Sequence, residues 1–403
     1  MKTVLFIGAG RHQRRAIAQA RDRGLRVVAV DRNPAAPGLA IADVAEVVDF
    51  TDVAAVTAVA RTYRVDGVLT VSADRAVPVV AAVAEALGLP GIGTDTAYRM
   101  THKLAMREAL AAAGVPQPPY APIRASAEAR DALEEVGVPA VLKPVDSGGQ
   151  RAVFRVDGWD DLGRNVTEAV EESPTRTAMV EAFVDGTEMN GIVIARGGEA
   201  ALLTLSDRLR PPGIGFGVGW IHVYPPSVNG AQLAFSERIA VESVRALGLR
   251  DGIAFPQLIA SPDGSVVVIE VAARIPGGQM ADLVRHAVGV DLVEVALRQA
   301  LGEEVPDELA LTRFSQPLAI RFFTARPGPL PTGRVTAVGS LDPVLAAEGV
   351  VGAETYIEVG ETIRPVRRDG DRRGYVIAVA DNAADALARA ERAASLFTVE
   401  VAQ

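Results

Sequence analysis

Residues 140–153 read AVLKPVDSGGQRAV, and this stretch indicates how the middle of the chain folds. An apolar run carries Lys143, a loop with Ser147, Gly148 and Gly149 follows, and a second apolar run begins at Val153. Glycine adopts backbone conformations that other residues avoid, so a glycine pair between two apolar runs favours a pliable loop. The stretch predicts a β-hairpin with a flexible glycine tip and a lysine on its first strand.

A second hairpin is predicted for residues 255–278, FPQLIASPDGSVVVIEVAARIPGG. Its PDG turn lies between two apolar runs, as in many hairpins. Glu270 ends the second run, and Arg274 follows four residues later. A carboxylate in so apolar a strand is costly to bury without a partner, so a buried Glu270–Arg274 salt bridge is the structural alternative to a functional role.

Outward from these hairpins, the first ninety residues alternate between strand and helix patterns. Strands are predicted at residues 4–7, 25–30 and 68–71, and helices at residues 11–22 and 76–87. This alternation predicts a doubly wound parallel sheet.

The rest of the chain mixes helices with short strands. A helix with Thr101 as its N-cap is predicted over residues 101–113, and a closing helix over residues 383–396. Residues 208–227, RLRPPGIGFGVGWIHVYPPS, are predicted to form a long loop. The segment after residue 316 reads as a small separate α+β element.

The composition limits the classes of function. The chain has 403 residues, of which 49% are hydrophobic and 23% charged, with a net charge of −9. That is enough chain for two or three compact domains, and the negative balance excludes nucleic acid and anionic membranes as expected partners. There is no cysteine, no stretch resembling a signal peptide and no run long enough to span a membrane, so a cytoplasmic protein is expected.

A glycine turn at the N-terminus leaves one alternative open. Gly8 and Gly10 with Asp31 about twenty residues on resemble part of a dinucleotide-binding fingerprint. Gln13, however, stands where the third glycine of that pattern belongs. An NAD-dependent oxidoreductase is therefore kept as an alternative function.

Lysine is rare in this sequence, and its positions are informative. It occurs only at Lys2, Lys103 and Lys143, whereas arginine supplies the other basic residues. A site for ATP and magnesium needs cations for the phosphates, a glycine loop, carboxylates for ribose and metal, and an apolar slot for adenine. The chain supplies these groups as Lys103, Lys143, residues 147–149, Glu181, Glu188 and Glu270.

The order of these groups resembles the ATP-grasp superfamily of carboxylate–amine ligases over nearly the whole chain. The resemblance implies a preliminary α/β domain at residues 1–93, an ATP-grasp domain at 94–315 with a lid at roughly 115–185, and a small C-terminal α+β domain at 316–403. The expected fold class is thus α/β and α+β, with two α+β subdomains in the ATP-grasp part.

The resemblance also implies a role for each site residue. Lys103 and Lys143 would hold the phosphates of ATP, Ser147, Gly148 and Gly149 would fold over them, and Glu181 with the backbone of Phe183 and Val184 would read the adenine edge. Glu188 would accept from the ribose hydroxyls, Glu270 would bind Mg²⁺ or Mn²⁺, and Arg274 would face the phosphoryl group and the acyl-phosphate oxygen. ATP would be a co-substrate, and no organic cofactor is expected.

Two positions depart from the pattern. Gln257 and Ala272 stand where many members have a second metal-binding glutamate and an asparagine. A neutral amide is a weaker magnesium ligand than a carboxylate, so Gln257 is only a candidate second ligand. The phrase IEVAARIPGG, residues 269–278, is similar to the branch of amino-acid ligases that make dipeptides and related amides.

The expected activity is an ATP-dependent condensation of a small carboxylate with an amine. Candidate substrate-binding residues are His222, Arg208, Arg210, Arg274, Gly277 and Gly278. The partners would be these small molecules alone, and a homodimer is left open. Alternatives are a carboxylase or purine-pathway ligase of the same superfamily, the NAD-dependent oxidoreductase, and a nucleotide-binding protein without activity.

Overall fold

The structure is a computed structural model that describes residues 1–210 and 218–402. It opens with strands β1 (Thr3–Ile7), β2 (Arg26–Asp31), β3 (Val44–Val47) and β4 (Gly67–Leu69), and with helices α1 (Arg11–Asp22), α2 (Val53–Thr62) and α3 (Val77–Leu87). The strands are parallel and lie in the order β3-β2-β1-β4.

The centre of this sheet is apolar because helices cover both of its faces. Val4 and Phe6 of β1 pack in one core cluster, and Leu5 and Ile7 pack in another on the opposite face. Helix α3 ends at Gly88, whose φ of 64° suits glycine at a helix C-terminus. The predicted doubly wound parallel sheet is confirmed.

Two helices connect this domain to the next sheet: α4 (Thr94–Arg99) and α5 (Lys103–Ala112). The N-cap of α5 is His102, whose Nδ1 accepts from the Ala105 amide at 3.4 Å. The prediction of Thr101 as the cap is wrong, because its hydroxyl donates to the Ala97 carbonyl of α4 at 2.7 Å. Lys103 is therefore the first residue of α5.

A small antiparallel sheet follows and carries the glycine hairpin. Its elements are β5 (Tyr120–Ile123), α6 (Ala129–Val136), β6 (Ala140–Pro144), β7 (Phe154–Val156), α7 (Trp159–Glu172) and β8 (Ala178–Ala182). The strand order is β5-β8-β6-β7, and the two helices pack with the sheet in one core cluster. Strands β6 and β7 form the hairpin that the sequence predicts.

The central sheet has eight antiparallel strands. They are β9 (Thr187–Arg196), β10 (Glu199–Leu209), β11 (Ile221–Tyr224), β12 (Gly252–Ala260), β13 (Val266–Ala272), β14 (Leu318–Phe322), β16 (Val350–Thr355) and β18 (Gly374–Val379). Their order is β13-β12-β9-β10-β11-β14-β18-β16. Helices α8 (Gly230–Ala246), α9 (Met280–Val288), α10 (Leu292–Ala300) and α11 (Asp307–Ala310) accompany them.

The C-terminal α+β part is present, but it is not separate. Strands β14, β16 and β18 extend the central sheet, while β15 (Gly333–Val338), β17 (Thr362–Ile363) and β19 (Val399–Val401) form a three-stranded sheet, accompanied by α12 (Asp342–Leu345) and α13 (Ala383–Ala394). Without β14, strand β11 would leave a row of unpaired backbone groups at a sheet edge. The backbone hydrogen bonding across this junction is not encoded in the local sequence pattern. The domain boundaries stay predictions.

The predicted long loop at residues 208–227 is wrong in part. Arg208 lies on β10 and His222 on β11, and the two residues are paired in register. Residues 211–217 of the predicted loop lie outside the described ranges. In the ranges that the structure does describe, no helix combines the length and apolar character that a membrane-spanning segment requires.

Candidate active site

A cavity of about 580 Å³ lies where the first domain, the glycine hairpin, the central sheet and the C-terminal part meet. Its lining includes the following residues that the sequence analysis singled out: Lys103, Lys143, Ser147, Gly148, Gly149, Glu181, Phe183, Val184, Glu188, Arg208, His222, Gln257, Glu270, Arg274, Gly277 and Gly278. Arg210 is not among the residues that line it. The chain thus brings distant residues to one cleft of the size that small-molecule sites have.

Lys103 connects the glycine loop with the acid-bearing hairpin. Its Nζ donates to the Ser147 carbonyl at 3.0 Å and lies 3.4 Å from Glu270 Oε1. Its backbone amide donates to the Val145 carbonyl at 2.7 Å, which fixes the start of α5 against β6. The ammonium group is therefore placed between the loop and the carboxylate by contacts at both ends of the residue.

Lys143, Glu181 and Arg107 form a buried charged triad. Glu181 accepts from the Lys143 ammonium at one oxygen and from Arg107 Nη2 at the other, 2.8 Å away. Burial lowers the pKa of Lys143 below its ordinary value, against the pull of Glu181. Burial alone would raise the pKa of Glu181, but Lys143 and Arg107 hold it below its ordinary value. The triad carries one excess positive charge in the wall of the cavity.

The Glu181 side chain therefore differs from its expected role. Both of its oxygens are taken by cations of the protein, so its first task here is to hold Lys143. The Phe183 amide also donates within the protein, to the Pro139 carbonyl at 2.9 Å. Phe183 and Val184 still line the cavity, where their backbone remains the candidate surface for an adenine ring.

The glycine loop lies against the first domain. A side chain carbon built on Gly148 would lie 3.1 Å from Asp74 Oδ2, and Gly149 has a φ of 71°. Ser147 Oγ donates to Glu172 at 2.9 Å, which ties the loop to helix α7. These contacts hold a glycine-rich segment at the wall of the cavity, where a phosphate-covering loop would lie.

Glu270 and Arg274 do not pair with each other. Glu270 is paired with Lys103, whereas Arg274 donates from Nε and Nη2 to Asp74 Oδ1 at 2.7 and 2.6 Å. The buried Glu270–Arg274 salt bridge is thus wrong as an alternative. Arg274 Nη1 is buried and has no hydrogen-bond partner among the residues that the structure describes. An unpaired buried donor costs about 1–3 kcal/mol, and a ligand oxygen would satisfy it.

Two oxygen donors face each other on the second hairpin. Gln257 of β12 and Glu270 of β13 are partners in register, and both line the cavity. Burial alone would raise the pKa of Glu270, but Lys103, Lys143 and Arg274 hold it below its ordinary value, so the carboxylate is ionised. Mg²⁺ is commonly held by one or two protein oxygens together with substrate phosphates. This donor set fits such a shared ion, and within the described ranges no cluster of three or more acidic or histidine side chains offers a cage made by the protein alone.

A second charged region of the cavity contains Glu188 and His222. Glu188 was expected to accept from ribose, but its carboxylate is paired with Arg208 at 2.5 Å and with Arg210 at 3.1 Å. His222, which was predicted to lie in the long loop, is on β11 and only 3% exposed. Burial, together with Arg372 and Arg208, holds the pKa of His222 well below its ordinary value, so the imidazole is neutral.

Comparison with known families agrees with this geometry. A family model described as "Carbamoyl-phosphate synthase L chain, ATP binding domain" matches residues 102–308, just over half of the chain. A model for the ATP-grasp N-terminal domain matches residues 17–91, and one for L-amino acid ligase C-terminal domain 2 matches residues 322–402. The chain belongs to the ATP-grasp superfamily of carboxylate–amine ligases.

Individual relatives are more distant. The chain is 29% identical over 338 residues to the uncharacterized protein y4rH of Sinorhizobium fredii. The match includes 81% of this chain and 66% of y4rH, so this chain spans about two thirds of that relative's length. It is 26% identical to the formate-dependent phosphoribosylglycinamide formyltransferase of Ignicoccus hospitalis over 98% of this chain and 96% of that one. The crystal structure of L-amino acid ligase from Bacillus licheniformis has the same fold, with a TM-score of 0.86 at 21% identity and coverage of 100% and 99% of the two chains.

The dinucleotide alternative loses its support in this ATP-grasp protein. Both carboxylate oxygens of Asp31 accept backbone amides of the first domain, from Ala9 and Asn33, each at 2.9 Å. Gln13 is buried, and its side-chain amide donates to the Val71 carbonyl. Asp31 and Gln13 thus bind other groups of the first domain, which favours a structural role for the glycine turn and Asp31.

Sequence reasoning missed several residues of the site, among them Arg107, Asp74 and Arg372. Arg107, only 1% exposed, lies four residues after Lys103 on the same face of α5, a spacing that could have indicated it. Asp74 and Arg372 carry no such signal, because each reaches the cavity from a different part of the chain. Asp74 follows β4 of the first domain, and Arg372 precedes β18 of the C-terminal part.

Proposed function

We propose that this protein is an ATP-dependent ligase that activates a small carboxylic acid, such as an amino acid, as an acyl phosphate and condenses it with an amine. The products would be an amide, ADP and phosphate. The observation that carries the proposal is the convergence of Lys103, Lys143, Glu270 and Arg274 on one cavity beneath a glycine loop. Phosphoryl transfer requires mainly positioning and neutralisation of charge, which these groups supply.

In the first step a carboxylate oxygen of the substrate bonds to the γ-phosphorus of ATP, and the bond between that phosphorus and the β–γ bridging oxygen breaks to release ADP. Lys103 and Lys143 would neutralise the phosphates. A divalent ion held by Glu270 and Gln257 with the phosphates would add positive charge at the triphosphate. Lys143 is suited to this task because Glu181 and Arg107 leave one positive charge of the triad uncompensated.

In the second step the amine nitrogen would bond to the acyl carbon, the bond between that carbon and the phosphate oxygen would break, and the departing phosphate would take up the proton that the nitrogen loses. Arg274 would donate from Nη1 to the oxygen that becomes negative at the tetrahedral stage, since this donor has no protein partner within the described ranges. The glycine loop over the cavity would exclude water, which otherwise hydrolyses the acyl phosphate.

The test is a screen for ADP release with amino acids and other small carboxylates, singly and in pairs with amines, with and without Mg²⁺. Lys143→Ala and Glu270→Ala should each lower turnover by at least about a hundredfold, as the loss of a transition-state charge contact does. Lys2→Ala, at an exposed position, and Glu242→Ala, at a partly exposed one, are matched controls away from the cavity and should keep normal rates. Near wild-type turnover in both site variants would refute the proposal.

A second candidate is a ligase of the purine-pathway type, which the match to the formyltransferase along 98% of this chain favours. The same screen separates the two when it includes formate and bicarbonate with a phosphoribosyl amine. ADP release with those substrates alone would select the second candidate. Nucleotide binding without ADP release for every pair would identify a protein that has lost the activity.

A further inference from the structure

Five charged side chains meet where β10, β11 and the segment before β18 come together, and all of them except Arg210 line the cavity. We call them the arginine cluster: Arg208, Arg210, Arg372, Glu188 and Asp369. Besides the two Glu188 pairs, Arg372 lies 2.7 Å and Arg208 3.6 Å from Asp369. Three guanidinium groups against two carboxylates leave one positive charge without a counter-ion inside the cluster. The arginines in contact with Asp369 are 10% and 11% exposed, so solvent compensates little of that charge.

The Arg372 guanidinium is fixed in place by its surroundings. Its Nε donates to the Gly219 carbonyl at 2.7 Å, and Asp369 accepts from the Gly219 amide at 2.9 Å. The group also lies over the Phe322 ring, 4.1 Å from its centre. Contacts on several sides therefore hold the guanidinium in one orientation. The Arg372 side chain would consequently lose little conformational entropy when a ligand binds.

The remaining nitrogen of Arg372, Nη1, lies near Gly278 in the segment that follows β13. A side-chain carbon built on Gly278 would lie 3.3 Å from Arg372 Nη1 and 3.2 Å from His222 Nε2. The two nitrogens thus flank a space that glycine at position 278 leaves open. Gly278 is four residues from Arg274, so the backbone of Gly278, which borders this space, lies at most about 14 Å from the Arg274 backbone.

The charges of the two buried arginines are balanced differently. Burial alone would lower the pKa of Arg208, but Asp369 and Glu188 raise it above its ordinary value. Burial lowers the pKa of Arg372 to about 10, and Asp369 offsets only part of this effect. Arg372 is therefore the buried arginine whose carboxylate partner compensates its burial least, while the neutral His222 beside it adds no positive charge.

We propose that Arg372 and Arg208 bind an anionic group, a carboxylate or a phosphate, on the amine substrate, and that Asp369 is the counter-ion of Arg372 when this substrate is absent. This assignment rests on the function proposed above. The carboxylate that is activated must lie against the γ-phosphate and Arg274, so an anion at the arginine cluster belongs to the other substrate. Guanidinium groups suit this role because they bind carboxylate and phosphate through paired hydrogen bonds.

The test compares amines that carry an anionic group with analogues in which that group is neutral or absent. L-alanine is paired with L-alaninamide to probe a carboxylate, and O-phosphoethanolamine is paired with ethanolamine to probe a phosphate. KM for each amine is measured from ADP release with ATP and the activated carboxylate at saturation, in wild type, Arg372→Gln and the matched control Arg364→Gln. Arg364 is exposed in the same C-terminal segment and does not line the cavity.

Arg372→Gln should raise KM for the charged member of one pair by about 10- to 150-fold, as expected for a lost charge-assisted hydrogen bond. KM for the neutral member and all values for Arg364→Gln should change less than about threefold. The alanine pair responds if the anion is a carboxylate, and the phosphoethanolamine pair if it is a phosphate. Equal losses for charged and neutral amines, no loss for either, or a charge preference confined to the carboxylate substrate would overturn the proposal.

Calorimetric titration of the charged amines into protein with ADP and Mg²⁺ separates this proposal from the proposed function, because it needs no turnover. Heat of binding in wild type that is lost in Arg372→Gln, in a protein that releases no ADP, would support the subsite and reject the ligase. ADP release with equal binding by wild type and Arg372→Gln would do the reverse.

Discussion

Replacing Arg107 with methionine tests whether the buried triad is a structural unit of the site. Arg107 donates to Glu181 at 2.8 Å, to the Ile269 carbonyl at 2.7 Å and to the Val268 carbonyl at 3.1 Å. Methionine fills similar space but removes the positive charge and every one of these donors. Breaking a buried ion pair by removing one partner costs about 3–5 kcal/mol, and we expect Arg107→Met to lower the free energy of unfolding by that amount.

The assay is urea denaturation followed by circular dichroism, with Arg238→Met as the control. Arg238 is 58% exposed and pairs with Glu242 at 3.4 Å within one helix, so its loss should change stability by less than about 0.5 kcal/mol. A loss below about 1 kcal/mol for Arg107→Met, or equal losses for both variants, would refute the reasoning.

The stability difference between wild type and Arg107→Met should depend on pH. The folded-state pKa of Glu181 lies below its ordinary value, which is near 4.5, so its contribution to stability is present above that pH and is lost as pH falls through the folded pKa. Arg107 supplies part of this lowering. The difference between wild type and Arg107→Met should therefore be full at pH 7 and narrow below about pH 4.5, and a difference that widens in acid would contradict the assignment.

Three further substitutions test neighbouring features. Asp74→Asn keeps the shape of the group that holds Arg274 but removes its charge. It should lower kcat about tenfold and change KM for ATP by less than about threefold. An unchanged kcat in steady-state assays would contradict this role of Asp74. Gln257→Glu adds a carboxylate beside Glu270 and should lower the Mg²⁺ concentration that half-saturates ADP release; an unchanged or higher value in a Mg²⁺ titration would exclude Gln257 from the metal site. Gln13→Gly completes the glycine pattern but removes a buried hydrogen bond. It should lower the free energy of unfolding by about 1–3 kcal/mol and create no NADH binding in a fluorescence titration. Tight NADH binding would support the dinucleotide alternative.

The fold was readable where local pattern and tertiary structure agree. Strand β1 and both hairpins follow from apolar runs that end at glycine or at a tight turn, and helix α1 follows from a helical pattern that stops before Gly24. The extension of the central sheet by β14 and β18 was not readable, since pairing between strands far apart in the chain leaves no mark on their individual patterns.

The site followed a similar division. Lys143 and the glycine loop are close in sequence, so their proximity could be predicted. Glu270 and Arg274 are four residues apart, which places both near the end of the second hairpin. The ion-pair partners of these residues were not predictable, because a lysine on a strand gives no indication of which acidic side chain it will contact. Arg274 pairs with Asp74, which lies 200 residues earlier, and only the tertiary structure brings them together.

The central claim is that two lysines and a strand-end carboxylate surround the triphosphate of ATP. A crystal structure with Mg²⁺ and a non-hydrolysable ATP analogue tests it most directly. The account predicts Lys103 and Lys143 Nζ within hydrogen-bond distance of phosphate oxygens, and a Glu270 oxygen about 2.0–2.1 Å from the metal. A triphosphate bound elsewhere, or one that leaves either lysine without a phosphate contact, would contradict it.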